Sequence, residues 1–183
     1  MKLWNYFDIP NWESIRDRVN IMFTNVYPNI DKMKTLTFFP NDMVYQAVPD
    51  FKDWLDSQSI EVVGFAVFIF RYNTGDSRLH VDLGNPTTYR FNIPLMNTEN
   101  SFTEFFDPPW DKMVEGMNES ATEDSPHQYW EYGDEGHQID NFVLNKPAIL
   151  NVKTPHRVRV TEDKPRVCLT ICPASDDQLT RFL

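Results

Sequence analysis

His80, Val81 and Asp82 place an imidazole and a carboxylate two residues apart, and a further histidine, His156, follows far along the chain. If His80 and Asp82 lie on a strand, alternation turns both side chains to one face. Two imidazoles and one carboxylate on one side of a divalent metal leave its other positions open. That donor set suits a non-haem Fe(II) centre that must admit oxygen. The tripeptide alone is weak, because a strand histidine beside an aspartate is also an ordinary hydrogen-bonded pair. The remaining histidines, His127 and His137, fall in or beside a long polar stretch and read as solvent-exposed. Cys168 and Cys172 are the only cysteines. On a strand they lie roughly 13 Å apart at ~3.3 Å per residue, too far to bridge or to share a zinc ion readily. Unpaired thiols fit a reducing compartment.

Two arginines add to this chemistry. Arg166 opens an apolar run, and alternation puts Arg166, Cys168 and Thr170 on one face. A guanidinium presents a planar fork that grips a carboxylate bidentately. The plainer reading pairs Arg166 with Glu162 or Asp163 at a strand edge. Arg90 is in phase with Asn92 inside a run that is otherwise apolar. Buried there it needs a partner, such as a carboxylate on a cosubstrate or substrate. Otherwise it sits at the exposed start of its strand. Asn151 projects among apolar neighbours, either hydrogen-bonding near the site or shaping a turn. Trp110, Tyr129, Trp130 and Tyr132 either line a substrate cleft or anchor a loop to the core.

The elements that must position these groups are mostly strands. Runs at 60–72, 79–83, 89–96, 102–106, 138–144, 148–152, 156–160 and 166–172 carry the β-branched and aromatic residues of strands, with turn residues between them. One such turn is Asn73-Thr74-Gly75-Asp76. Pro147, Pro155 and Pro165 sit before or at strand starts, where a missing N–H is tolerated. Eight short strands predict a sandwich or barrel. The fold class is mainly β, a double-stranded β-helix (jelly roll, cupin-like) with an N-terminal helical cap. In that topology the second and seventh strands are neighbours, which brings His80 and Asp82 to His156. The first and last strands also lie close together. Residues 1–58 read as the helical and irregular cap, with helices at 11–26, capped by Asn11, and at 49–57, opened by Pro49. Residues 59–173 form the core, and 107–136 is a polar insert too long for an ordinary loop. The whole reads as one domain.

The chain has 183 residues, 41% hydrophobic and 14% aromatic, enough for one sizeable core. Its net charge of −10 argues against a binder of bulk nucleic acid, which needs clustered Lys and Arg. No apolar signal segment follows Met1, and the apolar run 62–70 is too short to cross a bilayer. The expectation is a cytoplasmic protein with no membrane partner.

The order His80-x-Asp82, Arg90-Phe91-Asn92-Ile93-Pro94-Leu95, Asn151, Pro155-His156 and Arg166 resembles the Fe(II)/2-oxoglutarate-dependent oxygenase superfamily. It is most similar to the prolyl- and aspartyl-hydroxylase-like branch with its phage and marine bacterial members. The resemblance covers roughly residues 60–173 and leaves out the cap and the 107–136 insert. It implies that His80, Asp82 and His156 bind Fe(II) and that Arg166 grips the distal carboxylate of 2-oxoglutarate. It implies hydroxylation of a small-molecule or peptidyl substrate. The family often carries a hydroxyl two residues after the arginine. Cys168 stands there instead, so Thr170 or Tyr72 is the candidate hydroxyl, with Arg90 and Asn151 as further cosubstrate contacts. Two other functions share the fold: a cupin-type isomerase or epimerase that uses no 2-oxoglutarate, and a non-enzymatic binding or structural module.

Overall fold

In a computed structural model, the described residues are 2–33, 36–72, 79–82, 87–107, 114–117, 128–131 and 136–183, with backbone alone at 114–117 and 128–131. In chain order the elements begin with β1 (Trp4–Tyr6), α1 (Trp12–Val26), β2 (Leu36–Phe39), α2 (Asn41–Ala47) and α3 (Pro49–Ser57). Then come β3 (Val62–Phe70), β4 (His80–Asp82), β5 (Tyr89–Met96), β6 (Ser101–Asp107), β7 (Val114–Met117) and β8 (Gln128–Glu131). β9 (His137–Phe142), β10 (Ala148–Asn151), β11 (His156–Val160) and β12 (Arg166–Pro173) complete the strands.

The strands form two antiparallel sheets, β1-β10-β5-β12-β3-β2 and β7-β8-β4-β11-β6-β9. The chain crosses between sheets at β3–β4, β4–β5, β5–β6, β9–β10, β10–β11 and β11–β12, which is jelly-roll order. β4 lies beside β11 and β3 beside β12, the two neighbour relations expected of the fold.

β12 shows how alternation builds both faces of the first sheet. Val167, Leu169 and Ile171 pack outward with Phe65, Val67, Ile69, Phe91 and Ile93. The helices cover that face with Ile15, Val19 and Phe23 of α1, Val44 of α2, and Phe51 and Leu55 of α3. Ile15, Val19 and Phe23 recur every four residues, so one stripe of α1 is buried. Each such side chain contributes about 2 kcal/mol of burial. The opposite face of β12 carries Arg166, Cys168 and Thr170 toward the second sheet, where Cys168 packs with Phe105, Leu150 and Phe142.

Several expectations need correction. Residues 1–58 are not only a cap, because β1 and β2 extend the first sheet at both edges. Asn11 does not cap α1 with its side chain: it adopts φ 56, ψ 32 and makes no side-chain cap hydrogen bond. The stretch 107–136 is not simply a loop. β7 and β8 form a hairpin that adds to the edge of β4, giving that three-residue strand a partner on each side. Eight strands are therefore an undercount. The turn at 73–76 lies outside the described residues. Among the described residues no helix is long and apolar enough to cross a membrane.

Candidate metal centre

β4 is short, but its register is set by two partners. His80 lies opposite His156 on β11 and opposite Glu131 on β8. Opposite residues of an antiparallel pair share a face, so the two imidazoles meet, with ring centroids 4.5 Å apart. Asp82, two residues on, returns to that face, and its Oδ1 lies 3.5 Å from His80 Nε2. One ligand atom from each of His80, Asp82 and His156 lies within 4.8 Å of the others. Two ligands at about 2.1 Å from a shared ion stand at most about 4.2 Å apart, so a small side-chain adjustment closes the triad on a metal. Gly136 lets this region pack tightly, since a Cβ there would lie 3.2 Å from Leu79, the residue before His80, and from Phe106.

The tautomer of His156 follows from its surroundings. Its Nδ1 lies 2.9 Å from the carbonyl oxygen of Thr154, which can only accept. Nδ1 therefore carries the proton, and Nε2 keeps its lone pair for a metal, as ligating histidines do. Burial, and next the neighbouring His80, lower the His156 pKa from 6.5 to about 4. The ring is thus neutral near pH 7, with no proton to displace when a cation binds.

Arg166 is buried, at 1% exposure. Its Nη1 reaches the Cys168 sulfur, at 3.6 Å, and its guanidinium lies over the Phe70 ring at 5.4 Å. Among the described residues its Nε has no hydrogen-bond partner. The edge pairing with Glu162 or Asp163 is therefore wrong; Glu162 approaches Lys164 instead. Arg90 is also buried, with Nη1 unpartnered. The exposed-start reading fails for it, because β10 covers one side of its strand and β12 the other. Arg90 contacts Cys172, whose thiol pKa is raised by burial while the arginine charge opposes the rise.

Other assignments divide. The Thr170 hydroxyl donates to Asn92 Oδ1 at 2.6 Å. Tyr72 is 44% exposed beyond the end of β3. The side chain in contact with Arg166 is Cys168, not either hydroxyl. Asn151 shapes a turn: its Oδ1 accepts the backbone N–H groups of Lys153 at 2.9 Å and Thr154 at 3.0 Å. His137 is exposed. His127, Trp110 and Tyr132, and the side chains of Tyr129 and Trp130, lie outside the described residues. Lys153 is a component that sequence reasoning missed. Its Nζ donates to the Asp82 backbone carbonyl at 2.6 Å. Burial lowers the Lys153 pKa, with the Asp82 charge opposing. A lysine just past a strand end carries no sequence signal for that contact. Asn92 was visible only as a residue in phase with Arg90, and Cys172 only as the second of two unpaired cysteines.

These features define a jelly roll with a two-histidine, one-carboxylate cluster, able to hold a metal, across the central strands β4 and β11 of its second sheet. No family model and no curated protein matches the chain. Among solved structures, it is similar to the non-heme α-ketoglutarate-dependent carbocyclase SnoK from nogalamycin biosynthesis. That likeness has a TM-score of 0.51 at 10% identity, over 98% of this chain and 85% of SnoK. HygX from Streptomyces hygroscopicus, crystallised with nickel and 2-oxoglutarate, gives a TM-score of 0.46 at 13% identity, over 91% of this chain and 79% of HygX. At this identity the SnoK likeness establishes the fold alone, and the HygX one is too distant to add to it.

Proposed function

We propose that the protein is an Fe(II)- and 2-oxoglutarate-dependent oxygenase that hydroxylates a small-molecule or peptidyl substrate. The observation that carries this reading is a buried arginine, without an anion among the described residues, turned into the same inter-sheet space as a His-Asp-His cluster. Burying an uncompensated cation is costly, and a protein keeps one there when a ligand supplies the missing charge. The residues fit both groups. His80, Asp82 and His156 offer three donors on one side of a metal. Arg166, with Nε free, offers a fork for the distal carboxylate of 2-oxoglutarate. Arg90 is a second unsatisfied cation, for a carboxylate of cosubstrate or substrate. When bound, the metal and cosubstrate would supply the oxidation by O₂: one oxygen atom goes into succinate as 2-oxoglutarate loses CO₂, and the other passes to the substrate as a hydroxyl. The chain's own part is to hold His156 in the ligating tautomer, orient the cosubstrate through Arg166 and keep the inter-sheet space apolar through Phe70, Phe105 and Val158.

The test is an anaerobic titration of the Fe(II)-loaded protein with 2-oxoglutarate, followed by visible absorbance. A new charge-transfer band, absent in His80→Ala and weakened in Arg166→Ala, supports the reading. Stoichiometric metal without a band would turn it toward a cupin-type enzyme that uses no 2-oxoglutarate. No metal binding at all would sink it.

A further inference from the structure

We infer that the turn at residues 151–155 is the template on which the metal ligands are positioned, and that Asn151 is the positioning residue that gives this turn its shape. The inference rests on the reading of His80, Asp82 and His156 as metal ligands.

The turn joins β10 of one sheet to β11 of the other. Three consecutive residues in it touch ligand residues. The Val152 carbonyl accepts the Asp82 backbone N–H at 2.9 Å. The Lys153 ammonium donates to the Asp82 carbonyl at 2.6 Å. The Thr154 carbonyl accepts the His156 Nδ1–H at 2.9 Å. Asp82 is thus held at both its N–H and its C=O, and His156 is held at the ring nitrogen that does not face the metal. The Val152 N–H donates in turn to the Thr88 carbonyl at 2.9 Å, which ties the turn to the segment entering β5.

None of these groups is placed by strand pairing alone, because the chain is leaving one sheet for the other. Asn151 supplies the missing constraint. It is 2% exposed. Its Oδ1 takes the N–H groups of Lys153 and Thr154 together. That bend is an Asx-type turn, in which a short carbonyl side chain stands in for a backbone acceptor. Those two bonds fix the Val152–Lys153 and Lys153–Thr154 peptide planes, and with them the Val152 carbonyl that holds Asp82 and the Cα from which Lys153 reaches the same residue. They also set where the chain enters Thr154, whose carbonyl, ahead of Pro155, holds His156. One side chain therefore acts on two ligands, from two strands that meet at a single residue pair, His80 and His156.

The experiment is a Co(II) titration of metal-free wild type, Asn151→Ala, Asn151→Ser and His80→Ala, read by d–d absorbance and accompanied by circular dichroism. Outer partners of metal ligands typically contribute about 10–100-fold to affinity. Asn151→Ala is expected to weaken Co(II) binding within that range and to alter the d–d band while the strand signal is retained. Asn151→Ser, a neutral substitution whose hydroxyl forms the same turn more weakly, is expected to fall between Ala and wild type. Unchanged affinity and band shape in Asn151→Ala would overturn the inference, even if that variant melts earlier, because a merely structural turn would do just that. If Asn151→Ala does not fold, Asn151→Ser decides: wild-type affinity and band overturn the inference. Wild type that binds no Co(II), or binds it equally well in His80→Ala, would remove the metal reading itself. Wild-type binding lost in His80→Ala but untouched at Asn151 would remove only the template.

Discussion

Two pairs of arginines, one on the outer surface of the sandwich and one between its sheets, stand under opposite electrostatic conditions. Arg157 and Arg159 point outward from β11 and share one carboxylate, Glu104, at 2.8 and 2.6 Å. Their guanidinium groups cover Phe106 and Phe102, each at 4.9 Å. Glu104 is 2% exposed, whereas the arginines are 29% and 51% exposed, so they reach water while sealing it in. Burial pushes the Glu104 carboxyl pKa up, but hydrogen bonds and charge from the two arginines outweigh it and hold it below its usual value. Arg166 and Arg90 face inward, are buried, and have unpartnered N–H groups. The outer cluster is complete in itself. The inner pair has no such carboxylate among the described residues, which fits a charge kept for binding under the proposed function, in contrast to one kept for stability.

Three substitutions or conditions sharpen that contrast. Arg166→Met should weaken 2-oxoglutarate binding by about 100-fold or more, since truncating one side of a buried charge pair costs about 2–5 kcal/mol. The same change should raise the stability of the ligand-free protein by about 1 kcal/mol in urea unfolding, because an apolar chain replaces an uncompensated cation. A fall in ligand-free stability would erase the distinction between the two pairs.

The second effect is pH-dependent and concerns the neutral histidine of the metal cluster. His156 titrates near 4 when folded and near 6.5 when unfolded. Between those values the unfolded chain binds the extra proton, so stability of the metal-free protein is full above about 6.5 and falls as pH drops toward 4. At about 1.4 kcal/mol per pH unit the loss reaches about 3 kcal/mol. His156→Asn should flatten that slope in unfolding measured from pH 7 to 4, and a slope retained in the variant would assign it elsewhere.

The third and smallest effect lies outside. Glu104→Ala removes two charge-assisted hydrogen bonds, but both arginines can turn to water, so the expected cost is about 2 kcal/mol. Metal and 2-oxoglutarate binding should be unchanged. A loss of either would tie the outer cluster to the site.

Much of this was legible in the sequence where one residue type determined one face. The bounds of α3, β5 and β11 coincide with those read from apolar runs and proline positions. The approach of His80 to His156 follows from strand alternation plus jelly-roll order. β1 and β2 escaped because a three- or four-residue edge strand has too few residues to show a period, and its pairing depends on a distant partner. β7 and β8 escaped because their stretch is polar, and their place comes from the open edge of β4. The burial of Arg90 was illegible for a related reason. An arginine opening a strand looks exposed unless both neighbouring strands are known.

The pairing of β4 with β11 also has a consequence for how the chain reaches this state. β1 pairs with β10, β3 with β12, and β4 with β11, so early segments wait for late ones. Such long-range pairings give a high contact order, and the entropy of closing large loops slows the search. During synthesis the apolar residues Phe65, Val67 and Ile69 of β3 are made well before Val167, Leu169 and Ile171 of β12 can join them. The nascent chain therefore carries uncovered strand edges until its final quarter emerges, a condition that favours aggregation and chaperone capture. Its metal-binding competence is then acquired late, in one closing event, instead of growing with the chain.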